Sequence, residues 1–349
     1  MPFLGSAHGA VSYGRARRGA TWVNGGVVTT LAGNGSPAFA DGTGTNARFT
    51  YPFGVALTSS GVIVVADTFN NRIRFADPTS GVVTTLAGSG SGTFADGTGA
   101  AASFYYPLGV ALLSNGIIVV ADTFNNRIRL VNPTSGVVTT LAGSSNYDFA
   151  DGTGTGASFR RPGAVAVTST DVIVVSDSDN HRIRLVTYPG GVVTTLAGSN
   201  YDFADGTGTG ASFRLPRGLA MTSTGDIILA DAENNRIRRI TYPGGVVTTI
   251  AGSSGGFADG TGTAANFASP TGVAVTSTGV IVVIELGNHR IRLVTPLGVV
   301  TTLAGSGSPA LADGTGTGAS FNQPFGVALT SSGVIVVADH YNHSIRLIT

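Results

Sequence analysis

The chain has no cysteine and no lysine, and only two glutamates, two methionines and one tryptophan. Without cysteine there can be no disulfide staple, no thiolate metal site and no cysteine nucleophile. Either redox environment suits such a chain, so the compartment stays open. The scarcity of Glu, Lys and Met removes the residues that favour helices most. Charge is sparse as well: 11% of residues are charged, with twenty Arg set against nineteen acids for a net of +1. A balance this even argues against non-specific binding to nucleic acid or acidic lipid, which needs an excess of cations to displace counterions. No apolar run approaches the roughly 20 residues of a membrane-spanning helix. The longest, around Val280–Ile284, is the length of a strand. The first twenty residues carry Arg15, Arg17 and Arg18 but lack the apolar core of a signal peptide.

What the chain does have is glycine, 52 in 349 residues, together with abundant Val, Thr, Ile and Phe and 42% hydrophobic residues. Those β-branched and aromatic side chains fit a pleated, half-buried surface. They are also arranged with a period. The string V-V-T-T-L-A-G begins at Val27, Val82, Val137, Val192, Val246 (as V-V-T-T-I-A-G) and Val299. A-D-G-T-G places an acid at Asp41, Asp96, Asp151, Asp205, Asp259 and Asp313, and a proline follows at Pro52, Pro107, Pro162, Pro216, Pro270 and Pro324. N-x-R-I-R then puts its first Arg at Arg72, Arg127, Arg182, Arg236 and Arg290, with Ser344 in the sixth copy. The spacing holds at 53–55 residues, so six copies of one structural unit are expected.

Each copy contains four strand-like runs separated by turn signals; in the first they are Gly54–Thr58, Val62–Asp67, Arg72–Asp77 and Val82–Gly88. Short turns force neighbouring runs to pair antiparallel. Repeated four-stranded units without helices predict an all-β, six-bladed β-propeller of four-stranded antiparallel blades. The phase of the repeat predicts how it closes. The chain ends after the third run of the sixth copy and begins with an orphan fourth run, residues 27–33. Left unpaired, both would be apolar edges open to aggregation. Pairing the N-terminal strand 27–33 with the C-terminal blade completes the ring. Residues 25–349 are then one propeller and residues 1–24 a separate N-terminal arm.

The pattern P-x-G-V-A, V-V-A-D-x-x-N-x-R-I-R, V-V-T-T-L-A-G resembles the NHL-repeat β-propellers, especially the long-repeat subgroup carrying A-D-G-T-G. The resemblance covers residues 27–349. It implies the fold strongly and function weakly, because NHL-type propellers include protein-binding, RNA-binding and lyase members.

The topology assigns residues to faces. One face, called the top, should carry the A-D-G-T-G loops, the strand-end acids (Asp67, Asp122, Asp177, Asp231, Glu285, Asp339) and the Arg slots. Each A-D-G-T-G acid is expected to serve a turn and not a cation, since Ca²⁺ needs six to eight converging oxygens; no metal and no cofactor is expected. The strand-end acid lies five residues before the first Arg, across one turn, so the pairs Asp67–Arg72, Asp122–Arg127, Asp177–Arg182 and Asp231–Arg236 are expected to act as structural clamps. Both Phe series, Phe39, Phe94, Phe149, Phe203 and Phe257 before the acid and Phe49, Phe104, Phe159, Phe213, Phe267 and Phe321 before the proline, read as inter-blade core. His181, His289 and His343 share a repeat slot with Asn71, Asn126 and Asn235 and so read as turn formers; His340, beside Asp339, is the one off-pattern histidine within the repeats. The innermost runs contain no ionisable residue, which argues against the channel chemistry that lyase and lactonase propellers resemble one another in.

Positions that differ between copies are not dictated by the blade. The two residues before the proline and the one after it vary most, and in blades 2–4 they gather Tyr105, Tyr106, Arg160, Arg161, Arg214 and Arg217. Tyr and Arg dominate protein interfaces, so these six form the candidate interaction surface at the top mouth of the channel. Two glycosylation triplets, at Asn34 and Asn342, fall on the closing blade. The arm is Gly-, Ala- and Arg-rich and has no core of its own; it is a candidate for protein contacts or for head-to-tail self-association into a filament. Three readings follow: a non-enzymatic binding or assembly scaffold, extracellular or at the cell surface; a lyase- or lactonase-type enzyme with a channel metal; and an RNA-binding module, which the charge balance disfavours.

Overall fold

The computed structural model describes residues 25–349, and the N-terminal arm lies outside them. Six antiparallel sheets form six blades around a central channel, each blade with its innermost strand lining the axis. In blade 1 the order from the axis outward is Pro52–Leu57, Ile63–Asp67, Arg72–Ala76 and Val82–Ala87, as the alternation of turn and apolar run demands. Among the described residues the helical segments are three-residue 3-10 turns, and none is long and apolar enough to cross a membrane.

A fifth strand extends each blade beyond the four expected. It is two residues long, Gly42–Thr43 in blade 1, and pairs with Val82 and Val83 on the outer edge. It comes from the D-G-T-G segment, which therefore does not lie on the top face. The segment descends along the outer flank, and the Gly44 N–H donates to the Gly81 carbonyl of the bottom-face turn at 3.0 Å. The chain then climbs between two blades, burying Ala47 and Phe49 on the way to the next innermost strand.

The ring closes as the repeat phase requires. Val27–Ala32 pairs with Ser344–Ile348 through Val28↔Ile348, Thr29↔Leu347 and Thr30↔Arg346, and Val27 and Thr349 exchange two backbone bonds of 3.0 Å. At about 1 kcal/mol net per ladder bond, closure contributes several kcal/mol. The hydrophobic core is a set of six layers, one between each pair of blades. Phe49 packs against Val55, Ile63 and Val65 of its own blade and Val336, Ala338 and Ile345 of the closing blade. Its five counterparts, from Phe104 to Phe321, are also fully buried. Near the axis the innermost strands approach so closely that a Cβ at Gly54 would collide with the Leu108 carbonyl, and one at Gly326 with that of Phe53.

Candidate functional site

The residues around the mouth are held by a buried ionic framework that differs from the expected one. Asp67 pairs with Arg74 and not with Arg72. Its Oδ2 accepts Nη1 of Arg74 at 2.6 Å and Nδ2 of Asn70 at 2.9 Å, while Oδ1 accepts the Thr50 N–H at 2.9 Å. Asp122, Asp177 and Asp231 likewise take Arg129, Arg184 and Arg238 instead of Arg127, Arg182 and Arg236. The reason is reach. Asp67 and Arg72 sit directly opposite each other across the strand pair, too near for a long side chain to double back, whereas Arg74 is two residues further along the same face. The second guanidinium nitrogen of Arg74 bridges to Asp41 at 2.7 Å and to the Ala40 carbonyl at 2.8 Å. Asp41 also accepts from Thr85 on the outer strand, where the ladder slips by one residue. Thus the A-D-G-T-G acid ties the descending loop to the blade.

Burial pushes the carboxyl groups of Asp67 and Asp339 up to about 6 against the pull of their arginines, and raises Asp122, Asp177 and Asp231 for the same reason. The displaced first arginines find another use. Arg72 lies 3.7 Å over the ring of Phe39, and Arg127, Arg182 and Arg236 stack on Phe94, Phe149 and Phe203 in the same way. These phenylalanines are 37–44% exposed and are platforms for cations, not core. In the closing blade Ser344 replaces the arginine and Leu311 the phenylalanine, so both halves of the stack are missing together.

The Asn/His slot explains how the mouth residues are aimed. All six occupants adopt left-handed backbone, φ 48–56°, and each accepts a backbone N–H from the next blade. Asn71 Oδ1 takes the Tyr106 N–H at 2.9 Å, Asn126 Oδ1 the Arg161 N–H at 3.0 Å, and His343 Nδ1 the Tyr51 N–H at 3.1 Å. Neutral imidazole with an unprotonated Nδ1 substitutes for an amide oxygen here. The residues that donate these N–H groups are themselves left-handed, with φ of 44–50° in all six blades. His340 also bridges two blades. Its Nδ1 meets the Pro52 carbonyl at 3.3 Å, the bond that Thr68 Oγ1 makes to Pro107 at 2.7 Å. Burial pulls His340 down to about 4.

These devices bring three of the six candidate residues together. Tyr106, Arg161 and Arg217 line a pocket of about 310 Å³ over blades 1–4, with Phe53, Phe69, Leu108, Phe124 and Asp179. Tyr105 stacks on Tyr106 and Phe124 at 5.0 and 5.2 Å, extending the wall. Arg160 and Arg214 point elsewhere: Arg160 lies over Tyr147 at 4.4 Å and Arg214 pairs with Asp202 at 3.5 Å. Arg161 meets Asp179 at 3.5 Å, and Asp179 also accepts the Tyr147 hydroxyl at 2.5 Å. Asn342 donates Nδ2 to Asp339 and to the Ala310 carbonyl, both at 2.8 Å, so the nitrogen a glycan would need is already engaged; Asn34 is half-buried on the closing blade.

One set of mouth residues escaped the sequence reading. The second residue of the top turn runs Phe69, Phe124, Asp179, Glu233, Gly287, Tyr341 around the ring, and it differs between copies as much as the residues flanking the proline. It divides the mouth into an aromatic side on blades 6, 1 and 2 and an acidic side on blades 3 and 4. On the aromatic side Tyr341, Tyr51, Phe69, Tyr106 and Phe124 form a continuous arc with successive centroids 5.0, 4.7, 4.6 and 4.9 Å apart. Phe69, Phe124 and Tyr341 are 40–45% exposed. Below the arc the channel narrows to a cavity of about 80 Å³, whose lining among the described residues holds one ionisable side chain, Arg217.

The chain matches the NHL repeat family at residues 104–129, 159–184, 213–240, 267–292 and 321–346. It is similar to NHL repeat-containing protein 2 of Gallus gallus, 28% identical over 338 residues that make up 85% of this chain and 46% of that protein. It spans less than half the length of the curated relatives it matches. Among solved structures it is similar to an auxiliary nutrient binding protein from Bacteroides ovatus (TM-score 0.69, 19% identity, 93% of this chain and 77% of that one). It is similar also to a streptogramin B lyase (TM-score 0.59, 13% identity, 94% and 98%). With six blades in the repeat register and the family's pattern recurring around the ring, the chain belongs to the NHL-repeat β-propellers.

Proposed function

We propose that the ring is a non-enzymatic binding module that takes its ligand at the top mouth over blades 1–4. The observation that carries this reading is the exposed aromatic arc leading into the pocket of Tyr106, Phe124, Arg161 and Arg217. Contiguous exposed aromatic surface costs solubility and is kept where something covers it. The pocket is of the size and mixed character of small-ligand sites. A protein of the same fold is called an auxiliary nutrient binding protein, which agrees with this use of the scaffold. The channel below offers little for acid–base chemistry: apart from Arg217, its lining is apolar side chains, glycine backbone and Thr271. Assembly through the arm is a separate proposal about residues outside those described.

A thermal-shift screen of small metabolites against the wild-type ring and a Tyr106→Ala/Phe124→Ala variant tests the reading. Ligands that raise Tm in the wild type, lose that effect in the variant and are recovered chemically unchanged would support it. The absence of any such ligand would overturn it. So would conversion of a ligand by catalytic amounts of protein, which would favour the enzyme reading.

A further inference from the structure

We propose that the mouth pocket selects small apolar monoanions, namely planar aromatic carboxylates, with Arg217 as their anchor. This rests on the binding reading above and adds the ligand's chemical class. Three charged side chains line the pocket. Arg161 and Asp179 satisfy each other at 3.5 Å, with Tyr147 capping the carboxylate. Arg217 is different. Among the described residues it has no ion pair and no hydrogen bond, and its guanidinium lies over the ring of Phe325 at 5.4 Å. It is the one charged group shared by the pocket and the channel beneath it. Burial lowers its basicity, with Asp179 and Glu233 acting only from a distance.

The half-buried Arg217 guanidinium is an incomplete arrangement, because its N–H donors open into the pocket without an acceptor among the described residues. A carboxylate completes it with charge-assisted bonds. The rest of the ligand is set by the walls: Phe53, Phe69, Tyr106 and Phe124 present ring faces and edges, which favour a flat apolar body. The number of charges is set as well. One cation stands unpaired, and Asp179 lines the same pocket, so a phosphate dianion would bring a second negative charge that meets repulsion instead of a partner. The channel cavity beneath, about 80 Å³, is much smaller than the mouth pocket, which favours a seat for the ligand at the mouth.

The test uses the whole chain with 2-naphthoate and uncharged 2-naphthamide as probes, titrated by calorimetry against the wild type, Arg217→Met and Arg217→Lys. Methionine keeps the apolar contact with Phe325 and removes the charge; lysine keeps the charge. The expected result is at least tenfold tighter binding of naphthoate than of naphthamide in the wild type. That preference should vanish in Arg217→Met and largely persist in Arg217→Lys, with far-ultraviolet circular dichroism unchanged in both. Equal binding of the two probes to the wild type would overturn the anion inference while leaving the binding reading standing. A preference that survives in Arg217→Met would overturn Arg217 as the anchor. If neither probe binds, the aromatic-carboxylate class is wrong, and the metabolite screen decides separately whether the mouth binds anything.

Discussion

Replacing Arg129 with methionine removes the cation from a fully buried clamp and leaves its acid behind. In the wild type Arg129 donates to Asp122 at 2.5 Å, Asp96 at 2.7 Å, the Ala95 carbonyl at 2.8 Å and the Ser103 carbonyl at 3.2 Å. Asp96 is half exposed and can turn to water, but Asp122 is completely buried. It keeps only the Asn125 amide and the Tyr105 N–H as donors. Breaking one side of a buried pair costs about 3–5 kcal/mol. Methionine refills much of the space between Phe94 and Phe104, so little of that cost is cavity. For a ring of this size about 4 kcal/mol lowers Tm by roughly 6 °C. Urea denaturation at pH 7.5 and again at pH 5 measures the loss. The uncompensated Asp122 carboxyl, already raised by burial, rises further in the variant and takes up a proton in the folded state first. The deficit must therefore shrink on acidification, and adding Asp122→Asn must recover part of it at pH 7.5. A loss below about 1 kcal/mol, or one that is the same at both pH values, would refute the assignment of Arg129 as the clamp's cation.

His340→Thr should flatten the acid side of the stability profile. Burial holds the folded His340 near 4 against an ordinary value of 6.5, so its contribution is complete above pH 6.5 and is lost as pH falls toward 4. By proton linkage the variant should gain up to about 3 kcal/mol on the wild type between pH 7.5 and pH 4. A constant difference in urea midpoints across that range would contradict it. The raised acids Asp67 and Asp339 work in the opposite sense, their contribution being lost as pH rises from about 4 through about 6, but they are common to both proteins and cancel. Introducing Ser344→Arg and Leu311→Phe together should restore the missing stack of the closing blade. A double-mutant cycle should show about 0.5–1 kcal/mol of favourable coupling, whereas additive effects would mean the stack carries no energy. Deleting residues 1–33 should leave Ser344–Ile348 as an open edge, lowering Tm and promoting aggregation by light scattering; an unchanged melt would show that closure does not hold the ring.

The architecture could be read from the chain because it depends on period: six copies at 53–55 residues, with a lone fourth strand at the start and a three-strand copy at the end, pair into one closed ring. What could not be read was set by reach and direction. Counting residues places Arg72 nearest Asp67, yet the guanidinium that arrives comes from Arg74, because an arginine spans the distance to a diagonal neighbour better than to a facing one. Likewise, Phe39 and Phe49 are equally apolar in the sequence, and only the path of the D-G-T-G segment down the outer flank separates the exposed platform from the buried core. The Asn/His equivalence was visible as a turn signal, but its partner on the next blade was not, since no local pattern reports a contact across 35 residues.

That cross-blade bond bears on how such a mouth can change its specificity. The backbone of each mouth residue is fixed by the blade before it, through an acceptor that is always Asn or His, and by the buried acid of its own blade, whose Oδ1 or Oε1 takes the preceding N–H. Neither bond uses the mouth residue's own side chain. The same left-handed site therefore accommodates Tyr51, Tyr106, Arg161, Leu215, Ser269 and Gln323 in turn. Strain of about 1–3 kcal/mol per left-handed non-glycine residue is carried by the framework, not by any particular occupant. Substitutions in the arc and at Arg217 should accordingly alter binding with little effect on folding, whereas changes to the acids, to the second arginines or to the Asn/His slot should alter folding first. A ring in which alanine at Tyr106 and alanine at Asn71 produced the same loss of stability would contradict this division of labour.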